Sequence, residues 1–156
     1  MVSVNGRKWG LIVSLTRFIY FGKLPVELRK KYEANVFIDC TMMAHTRPGV
    51  LAKDVLQKGI EAYREKGYPE EWKLHHQGGS IGYTGRDYRT HSKTPDVVQE
   101  NQAFTWNPSL TGTKSEDTIL ATSKGPEMLT YPVLYPTLSM TVAGISFKRP
   151  AILEKE

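Results

Sequence analysis

The apolar periodicity of this chain changes once, near Pro69, and that change bounds the fold more tightly than any single motif. Before it, apolar residues recur every three or four positions: Leu28, Tyr32, Val36, Cys40 and Met43 in one stretch, then Val55, Ile60, Ala62 and Tyr63 in the next. That spacing stacks side chains on one face of an α-helix. Pro25 suits a first helical turn, so a long helix is expected from residue 26 to about residue 46. Arg47-Pro48-Gly49 breaks it, and a second helix is expected over 51–66 with Gly67 at its stop.

After Pro69 short apolar runs alternate with turn residues. Runs at 74–83, 102–106, 117–122 and 127–130 read as antiparallel strands. Ahead of the helices, 2–4 and 11–21 are rich in β-branched and aromatic residues, and the stretch 5–10 between them predicts a hairpin. Residues 84–100 lack apolar periodicity and read as an exposed loop of the kind that carries function. From Tyr131 onward, Pro132, Pro136 and Pro150 predict an extended tail over 131–156 that wraps the surface. The expected class is α+β, as a single domain over 1–156 without internal repeats.

Composition narrows the setting. With 156 residues, 40% of them hydrophobic, the chain is long enough to bury a core without staples. Cys40 is alone, so no intrachain disulfide forms, and its mid-helix place without a cation nearby predicts an inert core thiol. No apolar run approaches the ~18 residues of a membrane span and no apolar leader opens the chain, so a cytoplasmic protein without a membrane partner is expected. Lys and Arg number 21 against 16 Asp and Glu, a net charge of +5. The basic residues are interleaved with Glu27, Glu33, Glu61, Glu65 and Glu70-Glu71, and Arg29-Lys30-Lys31 reads as a solvated helix face, so no nucleic-acid partner is expected.

Four constellations could carry chemistry. His75 and His76 precede the glycine-rich Gly78-Gly79-Ser80-Ile81-Gly82; on a strand only one of the two can face a given cleft, so the pair alone is a poor metal site. A structural or surface histidine is the plainer reading. Lys114, Glu116 and Thr118 fall on one face of a strand that returns after Asn107-Pro108, placing a cation beside a carboxylate; the plain alternative is a surface ion pair worth little. Ser14-Leu15-Thr16-Arg17 puts polar groups inside an apolar strand, where a buried Arg17 would need a partner. Asp39-Cys40 is the fourth, with the inert-core reading given above.

Read in order, these segments resemble the C-terminal catalytic domain of the pita-bread metallopeptidases: Xaa-Pro aminopeptidases, prolidases, methionine aminopeptidases and the related creatinases. The resemblance runs from about Ser3 to Thr130 and rests on Ser14-Leu15-Thr16-Arg17 with Gly22, Arg47-Pro48-Gly49, the His75-to-Gly82 segment and Ser115-Glu116-Asp117-Thr118-Ile119-Leu120. It implies a partial pita-bread fold, a curved antiparallel sheet covered on one side by two long helices. Active members hold two divalent metals such as Mn, Co or Zn with two aspartates, one histidine and two glutamates. Matched residue by residue, the aspartate positions fall on Ser3 and Ser14, the histidine on Gly79 and the first glutamate on Asn107, while Glu116 alone keeps its ligand type. Shifting the match to make His76 the ligand still leaves both aspartates missing. His75 matches a substrate-binding histidine, Lys114 a basic residue two before the last glutamate, and Arg86 the position of a further histidine.

Two dications about 3.5–4 Å apart need several carboxylates to offset their repulsion. One carboxylate cannot supply that, so no cofactor is expected and the resemblance implies a degenerate site, inactive as a metallopeptidase. The expected role is a binding or oligomerising domain for a small peptide or amide-like ligand, with His75 and Glu116 as candidate catalytic residues and Asn107, Lys114, Arg86 and Arg17 around the pocket. Alternatives are a metal-free, creatinase-like C–N hydrolase and an active Xaa-Pro aminopeptidase or dipeptidase. Trp72, Tyr83 and Tyr88 read as exposed aromatics that could serve a homo-oligomer. The resemblance also implies that the chain covers the later two-thirds of the domain, leaving 2–4 as an edge open to a partner strand.

Overall fold

A computed structural model describes residues 1–156. β1 (Val2–Lys8) and β2 (Leu11–Phe21) pair as an antiparallel hairpin, and α1 (Val26–His45) and α2 (Ala52–Glu65) follow. A 3-10 turn at Glu71–Leu74 leads to β3 (Gly78–Ser80), β4 (Tyr88–Arg89), β5 (Gln102–Trp106), β6 (Ser109–Leu110), β7 (Thr113–Lys114), β8 (Asp117–Thr122) and β9 (Gly125–Met128). The chain closes with β10 (Thr137–Val142), β11 (Ile145–Pro150) and β12 (Ile152–Lys155). No helix is long and apolar enough to cross a membrane.

The opening hairpin turns on two residues instead of the wider 5–10 stretch. Trp9 and Gly10 both have positive φ, 52° and 84°, the geometry whose twist matches the flanking strands. Two main sheets result, ordered β1-β2-β12 and β4-β3-β5-β8-β9. They are stitched together where β2 meets β8: the Thr16 amide donates to the Glu116 carbonyl at 2.9 Å and the Ser14 amide to Thr118 Oγ1 at 2.8 Å.

Strand alternation decides which side chains meet the helices. Phe104 and Trp106 on β5 and Ile119 on β8 are buried with Val36, Met42 and Met43 of α1 and Val55 and Tyr63 of α2 in one apolar cluster. Thr105 and Thr118 point to the opposite face, where their hydroxyls meet at 2.8 Å. That face, away from the helices, carries the polar residues described below. Cys40 lies in the core, and burial pushes its thiol up to about 12, in keeping with an inert group.

Several sequence expectations are corrected. Within 74–83 only Gly78–Ser80 is a strand. The Gln77 amide donates to the carbonyls of Trp72 at 3.0 Å and His75 at 2.6 Å, capturing groups that a longer ladder would have used. The strand expected at 127–130 begins at Gly125, because the turn after Thr122 reverses the chain earlier. The expected loop 84–100 contains β4 and is pinned by a bridge between Leu51 and Val97 and by the burial of Thr90, Thr94 and Val98. The 131–156 tail is not confined to the surface. β10 and β11 form a hairpin around Ala143-Gly144, β12 adds to β2 in parallel, and Arg149 is 0% exposed. The prolines stand at or before strand ends, where no ladder donor is lost. Of the aromatics read as exposed, Tyr83 is exposed, whereas Trp72 and Tyr88 pack partly against the core. β1 is an edge strand, as expected.

Candidate functional site

Glu116 stands at the bend between β7 and β8, 5% exposed, and gathers donors from three other segments. Thr16 Oγ1 donates to Oε2 at 2.6 Å, Lys114 Nζ lies 3.0 Å from the same oxygen, and Arg86 Nη2 lies 3.3 Å from Oε1. Alternation brings the β2 groups over: Ser14 and Thr16 share one face of that strand, so both reach this side of the sheet. Ser3 Oγ meets Thr16 Oγ1 at 2.8 Å across the hairpin, and Ser14 Oγ donates to Asn5 Oδ1.

Arg17 is the exception among the expected pocket residues. One position on from Thr16, it faces the other side of β2 and binds Asp117 Oδ1 at 2.9 Å and the Thr130 carbonyl at 2.8 Å. It does find the partner that burial demands, but it does not line the cleft, whose walls are built by Asn5, His75, His76, Arg86, Asn107 and Lys114 among others.

The cleft has a volume of 710 Å³. Both histidines line it, contrary to the alternation expected of a strand, because the chain at His75 and His76 is not in a ladder. Their rings stack with centroids 4.4 Å apart, and the Nδ1 atom of each is buried without a hydrogen-bond partner. Burial, the neighbouring His75 ring and the Arg89 charge press His76 down to about 4; burial and Lys114 lower His75 as well. Asn107 is 2% exposed, and its Oδ1 is likewise unpartnered.

Gly79 lies in β3, between β4 and β5, and does not line the Glu116 cleft. A Cβ at this position would sit 2.1 Å from the Tyr88 carbonyl oxygen, so the backbone leaves no room for a side chain of any kind. No group of three or more His, Cys, Asp and Glu side chains is placed to hold a metal ion.

Behind Glu116, on the helix side, lies an ion network that sequence reasoning missed. Arg149 of β11 reaches Asp39 of α1 at 2.5 Å and Asp117 of β8 at 2.9 Å, and Ser115 Oγ donates to Asp39 at 2.6 Å. With Arg17 on Asp117, two guanidiniums balance two carboxylates away from water. Burial raises Asp39 to about 7 against the pull of Arg149. Asp117 was visible in the Glu-Asp-Thr context, but nothing in the proline-marked tail announced Arg149 as its partner.

A helix pair over one side of an antiparallel sheet, with a polar cleft on the other, defines the pita-bread class of domain. The family model for metallopeptidase family M24 matches residues 1–123, and the chain belongs to that family. An uncharacterized peptidase of Staphylococcus aureus (strain MW2) is 28% identical over 123 residues, which cover 75% of this chain and 35% of that protein. The chain thus spans about a third of the length of the curated relatives it matches. An X-Pro aminopeptidase from Thermotoga maritima superposes over 98% of this chain and 40% of its own, with a TM-score of 0.77 at 19% identity. A dipeptidase from Pyrococcus horikoshii covers 84% of this chain and 38% of its own, with a TM-score of 0.74 at 24% identity.

Proposed function

We propose that this M24 domain binds a small peptide-like or amide-like ligand in the Glu116 cleft and does not assemble a two-metal hydrolytic centre. The observation that carries the reading is the company Glu116 keeps: Lys114 and Arg86 both sit on its carboxylate, at 3.0 and 3.3 Å. A pair of dications needs several anionic oxygens and bridging ligands. Here the one carboxylate at the matched positions is already compensated by two protein cations, and an incoming metal would be repelled by both. Ser3, Ser14 and Asn107 are neutral, and the Gly79 backbone excludes a ligating side chain. The residues present therefore do not fit the family's metal pair.

The test is hydrolysis of Xaa-Pro dipeptides with added Mn²⁺, Co²⁺ or Zn²⁺. The expected result is no release of the N-terminal residue above the protein-free blank, for wild type and Glu116→Gln alike. Metal-dependent turnover that Glu116→Gln abolishes overturns the reading.

A second reading, metal-free cleavage of a C–N bond, draws support from His75. Its lowered pKa keeps the ring neutral at pH 7, with Nδ1 unpartnered beside the cleft that holds Glu116. The neutral His75 ring would take up the proton as general base, and the Glu116 carboxylate, an acceptor beside Lys114 and Arg86, would orient the attacking group. Amide turnover in the presence of a chelator, lost in His75→Gln, favours this reading over pure binding.

A further inference from the structure

The polar cleft shares lining residues with a second cavity whose chemistry is different. That neighbour, of 450 Å³, is lined by Leu56, Ile60, Trp72 and Leu74, and His75, His76 and Arg89 border both spaces. The stacked histidines and Arg89 thus stand where a charged space adjoins an apolar one.

Charge selects what the polar end accepts. Arg86, Arg89 and Lys114 face Asp87 and Glu116 there, leaving one positive charge in excess while both histidines are neutral. Asp87 is held by the Thr84 hydroxyl at 2.9 Å, and Glu116 is shared by Lys114 and Arg86. Arg89 has no carboxylate within ion-pair reach and lines both cavities. An excess of one charge suits a monoanion.

Buried polar atoms point the same way. Asn107 is 2% exposed and lines the polar end with its Oδ1 unpartnered, and the Nδ1 atoms of His75 and His76 are in the same condition. Buried polar groups are rarely left without partners, because each orphan costs free energy. A half-turn of the Asn107 amide offers a donor in place of the acceptor, so the same residue can meet a carboxylate.

We propose that the adjoining cavities together take a small monocarboxylate with an apolar body, its carboxylate against Arg89 and Asn107 and its body reaching past Arg89 over Trp72 and Leu74. This rests on the metal-free binding reading above and adds the class of ligand.

The test is an NMR titration of the protein with hexanoate, hexanamide and acetate, following the Trp72 indole and histidine ring signals, once with a chelator and once with Mn²⁺ present at the weakest resolvable level. Hexanoate is expected to bind roughly tenfold more tightly than either the amide or acetate, from the charged hydrogen bonds and the buried methylenes respectively. Arg89→Ala should erase the acid–amide difference, and Leu74→Ser should shrink the hexanoate–acetate difference. Both side chains are exposed, so neither variant threatens the fold. Equal affinity for acid and amide, or no binding of any probe, overturns the proposal while leaving the metal-free reading in place. Binding that appears only with Mn²⁺ overturns the metal-free reading itself.

Discussion

Glu116 and Lys114 were legible as a pair from the sequence because two positions on a strand share a face. Arg86 was flagged only through the family resemblance, and the geometry that brings it to Glu116 is the turn before β4. Arg149 was not legible at all, since a Lys-Arg-Pro segment near a chain end reads as surface charge, and only tertiary packing shows it to be 0% exposed. Its removal is the sharpest residue-level prediction: Arg149→Ala leaves Asp39 and Asp117 buried without their shared cation. The expected loss of stability is on the order of 3–5 kcal/mol in urea unfolding. A loss below about 1 kcal/mol, the worth of a surface pair, would contradict the network. His76 gives a pH prediction with a definite sign. Its pKa is lowered from 6.5 to about 4 in the folded state, so between those values the unfolded chain binds the extra proton. Stability is therefore fully present above pH 6.5 and is lost as the pH falls through about 4. In His76→Gln the stability profile over that range should be flatter, which denaturant midpoints at a series of pH values will read; an unchanged slope would show that His76 is not the titrating group.

At the scale of elements, the helices and the hairpin were readable because each follows from local periodicity or from turn chemistry. The second half was harder. Its strands are two to six residues long, too short for alternation to be measured, and a side chain such as Gln77 can end a ladder by capturing its carbonyls. The β3–β4–β5 region also sets the closest backbone approach. Gly79→Ala places a Cβ 2.1 Å from the Tyr88 carbonyl, so it must push β4 away. Gly112→Ala meets nothing within 4 Å and bears only the strain of its φ of 91°. Gly79→Ala should therefore cost more than about 2 kcal/mol and Gly112→Ala about 1 kcal/mol, in the same denaturation experiment. Similar costs for the two would mean that β4 yields freely.

For the molecule as a whole, the α+β class followed from the change of period at Pro69, while the roles of the chain's two ends did not. Residues 124–156 lie beyond the family match, yet they supply Arg149 to the core and β12 to the sheet that carries Ser14 and Thr16. Long-range pairing of this kind leaves no local signal, because β12 joins β2 across more than a hundred residues. The cleft is likewise a product of the whole: β2, the turn before β4, the Asn107 corner and β7 each deliver one wall, and the charge they assemble around Glu116 is positive. That charge is the centre of the functional account. Calorimetric titration of chelator-treated protein with Mn²⁺, Zn²⁺ and Co²⁺ tests it directly: the account predicts no tight, stoichiometric heat for any of the three, and two ions bound per chain at micromolar Kd or below would contradict it.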